Sequence, residues 1–116
     1  MVMRKVHRLA SRKDIEELFR RGQRTESALF RLVAARNASG CLRFALVAPR
    51  AADKRAVARN RIRRRAREWM RRRPGILALP YDAAIVFKKQ AVGAPRPAFY
   101  KDLEFIFSRL SLRPKD

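Results

Sequence analysis

Residues 54–73 read KRAVARNRIRRRAREWMRRR, and the interpretation of the whole chain starts from this stretch. Good helix formers fill it, and neither Gly nor Pro interrupts it before Pro74-Gly75, so it predicts one long helix. Its apolar residues recur at helical spacing and therefore define one apolar face. They are Ala58, Ile62, Ala66, Trp69 and Met70.

The same helix concentrates positive charge. Eleven of its twenty residues are Lys or Arg, and Glu68 is its only acid. Two interpretations are open: a solvated charged face, or a surface that binds a polyanion. Solvated faces usually interleave both signs, and neighbouring arginines repel each other in water. The near-absence of acids therefore favours an anion-binding helix that is suited to phosphate.

The composition of the whole chain also favours a nucleic-acid partner. The 116 residues carry a formal net charge of +20, and 47% of them are hydrophobic. This combination predicts one folded domain over residues 1–116, with 1–10 and 111–116 flexible. A membrane surface could also attract such charge, but no lipidation motif is present and Trp69 and Met70 are interpreted as core residues.

Several other function classes are disfavoured. No apolar run could span a bilayer and no signal-peptide pattern is present, so we expect a cytoplasmic protein with no membrane partner. The single Cys41 excludes an intrachain disulfide and a cysteine-based zinc site. One His and scattered acids argue against a self-sufficient nuclease. The sequence therefore predicts neither catalytic residues nor metal ligands.

Outside residues 54–73 the pattern predicts two more helices and three strands. Ser11 and Asp14 have the form of a capping box at the start of the first helix. The turn residues 37–40 predict an antiparallel hairpin, and the apolar run 83–87 predicts a buried central strand followed by a basic loop over 88–97. The predicted elements are helices 12–21 and 98–110 and strands 28–35, 41–48 and 83–87. The fold class is α+β, a small α-β-β-α-β-α sandwich with helices packed on a three- to four-stranded sheet.

The sequence Ala-Val-Ala-Arg-Asn-Arg-Ile-Arg-Arg at 56–64 closely resembles the signature of the bacterial ribonuclease P protein component. That family carries an Arg-Asn-Arg motif, preceded by Ala-Val and followed by a basic pair, on a long helix. The His-Arg-Leu at 7–9, with Phe19 and Gly22 downstream, is similar to the family's N-terminal pattern. The Arg-Phe at 43–44, the late strand and the final helix also follow in family order. The resemblance covers nearly the whole chain.

The resemblance implies a fold, an activity and partners. The fold would contain a left-handed β-α-β crossover, which is uncommon. The protein would be the non-catalytic subunit of ribonuclease P and would bind the catalytic RNA and the 5′ leader of precursor tRNA. The RNA subunit would catalyse the endonucleolytic removal of the leader, and that RNA would hold most of the Mg²⁺. No organic cofactor and no protein oligomer would be required.

The resemblance also implies which residues contact RNA. Ile62, Trp69 and Met70 are interpreted as core residues rather than RNA contacts. Asn60 has two open interpretations: an RNA contact, or a local hydrogen bond that fixes the start of the helix. The residues that match the family's RNA-contacting helix are Arg59, Asn60, Arg61, Arg63, Arg64 and Arg67.

The leader would be bound as a single strand. In such recognition, aromatic rings stack on bases while basic groups follow the backbone. Phe19 and Phe30 align with a cleft between the first helix and the sheet, although either ring could be a core residue instead. Arg43 could face this cleft or only solvent, and His7 could contact RNA or the leader end. The predicted leader-binding residues are Phe19, Phe30, Arg43, Lys88 and Lys89.

Other readings of the sequence stay open at this point. A structural RNA-binding protein of the ribosomal type would share the charge, the size and the compartment, but it would not need an aromatic cleft. A DNA-binding module could use residues 59–72 in a major groove, but the β-rich remainder supplies no helix-turn-helix partner. A stand-alone protein nuclease is least favoured, because the acids are scattered singly.

Overall fold

Residues 7–111 are described by the structure, a computed structural model, and they form an α+β fold, as predicted. The helices are α1 (Arg12–Arg21), α2 (Ala56–Arg71), α3 (Pro74–Leu77), α4 (Lys89–Val92) and α5 (Arg96–Ser111). The strands are β1 (Gln23–Glu26), β2 (Phe30–Arg36), β3 (Arg43–Val47) and β4 (Tyr81–Phe87). Predictions for residues 1–6 and 112–116 lie outside the described residues.

The four strands form one sheet in the order β1-β2-β4-β3. The predicted hairpin between β2 and β3 is therefore wrong, because β4 lies between them, antiparallel to β2 and parallel to β3. The physical reason is that β4 is buried on both faces, with Ile85 on one side and Ala84 on the other. A strand of this kind is stable only in the interior of a sheet. The loop after β2 instead crosses the end of β4, where Asn37 N donates to Pro80 O at 2.9 Å.

The parallel pair β3 and β4 is connected through α2, so the β-α-β unit implied by the resemblance is present. Its left-handed sense stays a prediction. The unit places the arginine-rich helix α2 directly against one face of the sheet, where Ile62, Ala66 and Met70 join the main core.

The sheet separates two apolar layers. The larger layer lies between the sheet and helices α2 and α5, and it contains Ile62, Ala66, Trp69 and Met70 of the predicted apolar face of α2, whose fifth residue, Ala58, is also buried. The buried face of α5 also agrees with the predicted helical spacing, from Phe99 to Leu110. The smaller layer lies beneath α1, where Leu18 packs with Val33 and Ala84. The two faces of the sheet therefore present different surroundings.

Helix α1 has the predicted bounds, and local contacts explain where it begins and ends. The N–H of Asp14 donates to Ser11 Oγ at 3.3 Å, which caps the first turn. At Gly22 a Cβ atom would lie 2.6 Å from Leu18 O and 2.8 Å from Val33 Cγ1. Glycine is needed there because the chain passes close to β2 as it turns into β1.

Residues 7–9, shortly before α1, are docked on the sheet rather than free. His7 is buried, and its Nδ1 hydrogen-bonds to Leu42 O at 2.8 Å. Leu9 N donates to Phe44 O at 3.0 Å, and Arg8 forms a parallel bridge to Phe44. The proposed contact of His7 with RNA or the leader end is therefore wrong, because its ring is enclosed by the protein.

Three short elements were not predicted: β1, α3 and α4. Each has four residues, which is too few to show a period of hydrophobicity. Helix α3 begins at Pro74, where the predicted long helix ends, and the predicted basic loop over 88–97 contains α4. Helix α5 also begins earlier than predicted, with Pro97 in its first turn, where its missing N–H is tolerated. Among the described helices, none is long and apolar enough to cross a membrane.

Candidate nucleic-acid interface

Helix α2 presents three rows of polar residues outside its buried face. The row facing β3 contains Arg59 and Arg63, and Arg63 Nε lies 3.4 Å from Leu46 O. The row facing α5 contains Arg61, Arg65 and Arg72, and Arg65 Nη1 donates to Ala94 O at 3.0 Å. The outermost row, which we call the crest, follows from helical spacing. It consists of Asn60, Arg64, Arg67 and Arg71, all exposed.

All six residues predicted to contact RNA lie on α2 and outside its buried face. They do not form a single stripe, however. Arg59 and Arg63 are half-buried beside β3, Arg64 and Arg67 stand on the crest, and Arg61 faces α5. The structure therefore brings them together as a curved basic surface around the helix.

Arg59 is held at the start of α2. Its Nη1 donates to the carbonyl oxygens of Asp53 and Lys54 at 2.9 and 3.0 Å. Asp53 is itself fixed by Arg55, whose backbone N–H and side chain both donate to its carboxylate. These hydrogen bonds lower the pKa of Asp53 to about 2, so the turn keeps its ion pair at neutral pH.

Asn60 makes a local hydrogen bond. Its Oδ1 accepts from Arg63 Nη1 at 2.7 Å. The bond does not fix the start of the helix, which lies at Ala56. It instead holds the guanidinium of Arg63 beside the crest. A contact between Asn60 and RNA stays a prediction.

On the opposite face of the sheet, α1 leaves one row of strand residues partly open. The strand registers align Glu26, Arg31, Val86 and Val47 across the four strands. Val47 and Val86 are half-buried, and Arg31 is exposed. The row adjacent to it, which includes Val33, is covered by α1.

Phe19 faces this open row. The opposite edge of α1 carries Asp14, whose carboxylate lies 3.9 Å from Arg43 Nη1. Helical geometry places Phe19 on the other edge, where its ring is half-buried against the layer beneath α1. We call the space between Phe19 and the sheet residues Arg31, Val47 and Val86 the α1 cleft.

Phe30, predicted to bind the leader, does not line this cleft. Its ring is fully buried on the other face of the sheet. It packs edge-to-face against Phe87 and Phe99, with ring centroids 5.6 and 5.1 Å away. The prediction for Phe30 is wrong, because a ring enclosed by the core has no face left for a base.

Arg43 lies on the same face of the sheet as the cleft, but it forms an internal ion pair. Its Nε and Nη2 donate to the carboxylate of Asp82 at 2.8 and 2.6 Å, at the edge of α1 away from Phe19. The predicted role in leader binding did not anticipate this partner. Asn37 also donates to Asp82, at 2.8 Å, so the carboxylate is held from two sides.

The two lysines after β4 have different surroundings. Lys88 Nζ pairs with Glu26 at 2.6 Å and donates to Ser27 O at 2.8 Å. The hydrogen bond from Lys88 holds the pKa of Glu26 below its usual value. Lys88 thus lies at the β1 end of the open row, whereas Lys89 is exposed at the start of α4.

Sequence reasoning missed three residues of the cleft: Arg31, Val47 and Val86. The alternation along β2 and β3 shows that Arg31 and Val47 share a face, but not that the face is open. Val86 belongs to an apolar run that indicates burial on both sides, yet its side is only partly covered. Locating the cleft needed the position of α1.

Asp82 combines burial with strong hydrogen bonding. Its residue is 7% exposed, and burial alone would raise the pKa of its carboxyl. The hydrogen bonds from Arg43 and Asn37 outweigh that effect and hold the pKa below its ordinary value. The carboxylate therefore stays charged and ties β4 to β3 and to the loop after β2.

Replacing the carboxylate of Asp82 tests its hydrogen bonds with Arg43 and Asn37. Asp82→Asn is expected to lower the free energy of unfolding by about 1–2 kcal/mol at neutral pH, because hydrogen bonds to a charged group are lost. Since the folded pKa of Asp82 lies below its unfolded value, its contribution is present above about pH 4 and is lost on acidification. Urea denaturation should therefore show a shallower loss of stability for the variant between about pH 5 and pH 2. Glu104→Gln, an equal charge change at an exposed site, should keep the parent's pH dependence, and an Asp82→Asn curve parallel to the parent would contradict the assignment.

The family model described as Ribonuclease P matches residues 3–111 of the chain. The chain belongs to the ribonuclease P protein family. The Ribonuclease P protein component of Aliivibrio salmonicida (strain LFI1238) is 31% identical over 104 residues, which cover 90% of this chain and 88% of the relative. That of Desulfatibacillum aliphaticivorans is 32% identical over 108 residues, which cover 92% and 90%. The predicted membership of this family is thus confirmed.

Solved structures of the ribonuclease P family have the same fold. The RNase P protein of Staphylococcus aureus superimposes with a TM-score of 0.82 at 19% identity, covering 90% of this chain and 95% of that chain. The protein from Thermotoga maritima gives a TM-score of 0.79 at 23% identity, covering 88% and 96%. At such identities the likeness concerns the fold.

Proposed function

We propose that the protein is the non-catalytic subunit of ribonuclease P, which binds the catalytic RNA through α2 and the 5′ leader of precursor tRNA through the α1 cleft. A role in tRNA 5′ maturation follows from the family. The finer assignment of one surface to each RNA is supported by one observation: the two surfaces lie on opposite faces of the sheet.

The separation of the two surfaces favours this function over that of a structural, ribosomal-type RNA-binding protein. Such a protein needs the basic helix, but not a second cleft. The two surfaces approach each other at β3, where Leu46 O lies 3.4 Å from Arg63 Nε and the next residue, Val47, belongs to the open row. A protein bound to the catalytic RNA by α2 would thus hold a single-stranded leader close to that RNA.

Each surface has the chemistry for its proposed ligand. The arginines of α2 would neutralise phosphates, and that contribution weakens with salt because counterions are released on binding. In the cleft, Phe19 would stack on a base while Arg31, Lys88 and Lys89 follow the backbone. Binding both RNAs at once would raise the local concentration of the precursor at the catalytic RNA.

The residues that the structure describes do not fit a resident Mg²⁺ ion. In residues 7–111 no three His, Cys, Asp or Glu side chains converge as a metal site, and Asp53 and Asp82 are both paired with arginines. We propose that Mg²⁺ is held mainly by the catalytic RNA. The proposal also includes a cytoplasmic location, no organic cofactor and no requirement for a protein oligomer.

Reconstitution tests this function. The full chain, a bacterial ribonuclease P RNA and precursor tRNA would be mixed at low Mg²⁺, where the RNA alone should be nearly inactive. We expect cleavage at the leader junction only when both components are present. The double variant Arg64→Gln/Arg67→Gln on the crest should require a higher protein concentration. Lys101→Gln/Arg109→Gln, which removes the same charge from exposed positions of α5, should behave as the parent.

Two results would contradict the proposal. Tight RNA binding with unchanged cleavage would favour the structural RNA-binding function. Cleavage by the protein without the RNA would place the chemistry on the protein.

A further inference from the structure

We propose that a basic notch between α2 and the start of α5 is a second phosphate-binding site, which holds a phosphate of the RNA strand that runs beside the crest. The proposal rests on the proposed function for the identity of that RNA. The notch has a volume of about 270 Å³. It is lined by Arg61, Arg64, Arg65, Glu68, Arg72, Arg96 and Tyr100.

The net positive charge of the notch favours the binding of an anion. Five of its seven lining residues are arginines, and Glu68 is its one carboxylate. Glu68 is shared with the outside of the notch, because it pairs with Arg71 at 2.9 Å and lies 4.0 Å from Arg72. One carboxylate cannot balance five guanidinium groups, so the notch repels its own charges until an anion enters.

Arg65 shows that the site is built rather than a chance cluster of mobile side chains. Its guanidinium lies over the ring of Phe99, with Cζ 5.2 Å from the ring centroid, and it donates to Ala94 O at 3.0 Å. Phe99 is fully buried, so this support is rigid. Within the described residues, Arg65 Nε is buried without a hydrogen-bond partner. Arg65 also lines the notch, so an anion bound there would interact with its guanidinium charge.

The wall formed by α5 adds two further groups suited to phosphate. Arg96 is the first residue of this sixteen-residue helix, so its guanidinium lies at the end where the helix dipole is positive. Tyr100, one turn later, supplies a phenolic hydroxyl that can donate to a phosphate oxygen. Donors on two helices would thus approach one anion from different sides.

Continuity with the crest favours an RNA phosphate over a lipid headgroup. Arg64 belongs both to the crest and to the notch, so a strand bound along the crest leads directly into it. Membrane-binding basic sites place large apolar side chains next to the charges. The large exposed apolar residues of the described chain, Val57 and Phe105, do not line the notch.

Two measurements on the full chain test the proposal. In the first, inorganic phosphate is titrated in chloride buffer while the side-chain Nε–H resonance of Arg65 is followed by NMR, with Arg65→Lys used to assign it. We expect the Arg65 resonance to shift until it saturates with phosphate. The affinity for phosphate should be several-fold weaker in Arg96→Gln. Arg109→Gln, the same substitution at an exposed site near the other end of α5, should match the parent.

In the second, binding to ribonuclease P RNA is measured against salt. Arg96→Gln should reduce the slope of log K against log[salt] by about 0.7–0.9, the contribution of one phosphate contact. Arg109→Gln should not change it. Tyr100→Phe should weaken binding several-fold with the slope unchanged, because it removes a donor but no charge.

The outcomes separate the possibilities. Phosphate binding without a change of slope in Arg96→Gln would make the notch a site for free anions and overturn the RNA assignment. No response of Arg65 and equal slopes for Arg96→Gln and Arg109→Gln would overturn the site itself. If both measurements succeed while the parent protein fails to promote leader cleavage, the proposed function fails and the notch stands as an RNA-phosphate site.

Discussion

Phe30→Ala is expected to lower the free energy of unfolding by about 3–5 kcal/mol, the usual cost of removing a fully buried aromatic ring. The ring is enclosed between the sheet and α5, in edge-to-face contact with Phe87 and Phe99. Domains of this size are stable by only about 5–15 kcal/mol. The variant should therefore be largely unfolded at temperatures that the parent tolerates.

Urea denaturation at fixed phosphate and salt measures the effect, since anions stabilise so basic a protein by binding its folded state. Phe105→Ala provides the matched control, because the same change is made at a side chain that is 49% exposed, and it should cost about 1 kcal/mol or less. If Phe30→Ala does not fold, Phe30→Leu, which keeps most of the volume, gives a measurable difference. Unchanged stability together with a loss of leader affinity would contradict the core assignment and support the prediction that Phe30 binds the leader.

The buried faces of the two longest helices could be predicted from sequence alone. In α2 and α5 the apolar residues repeat over three to four turns, and each repeat places another side chain on the same buried face. Trp69 and Met70 illustrate this, since both are fully enclosed where the spacing placed them. A periodic pattern of this length determines which face of the helix is buried.

The sheet order could not be predicted in the same way. The turn residues at 37–40 favour a hairpin between β2 and β3, and this signal is local. The pairing that occurs joins β2 and β3 to β4, which is more than thirty residues away from either. Burying both faces of β4 in the interior of the sheet outweighs the local preference for a hairpin.

The strand residues of the candidate site show a related limit. Alternation assigns Phe30 and Arg31 to opposite faces, but it does not say which face a helix covers. An arginine such as Arg43 has the same appearance in sequence whether it meets RNA or a carboxylate. Its partner Asp82 is 39 residues away, so only the folded chain distinguishes the two.

Phe19→Ala is expected to weaken the binding of leader-bearing precursor tRNA by about 1–3 kcal/mol, or about 5- to 150-fold, if the ring stacks on one base. Mature tRNA, which has no leader, should bind as it does to the parent. The reason is the position of Phe19 at the edge of α1, half-buried and facing Arg31, Val47 and Val86. The measurement is the Kd of each tRNA for the reconstituted holoenzyme at one salt concentration.

Two controls separate stacking on the leader from packing of α1. Phe19→Leu keeps an apolar side chain against the layer beneath α1 but removes the aromatic face, so it should retain stability and still lose leader affinity. Val33→Ala removes buried methyl groups from the covered row beneath α1, and it should cost stability without a preference between the two tRNAs. Equal losses for precursor and mature tRNA in Phe19→Ala, or parent-like leader binding by Phe19→Leu, would make Phe19 a packing residue. In that case the sheet residues of the cleft would have to bind the leader without an aromatic platform.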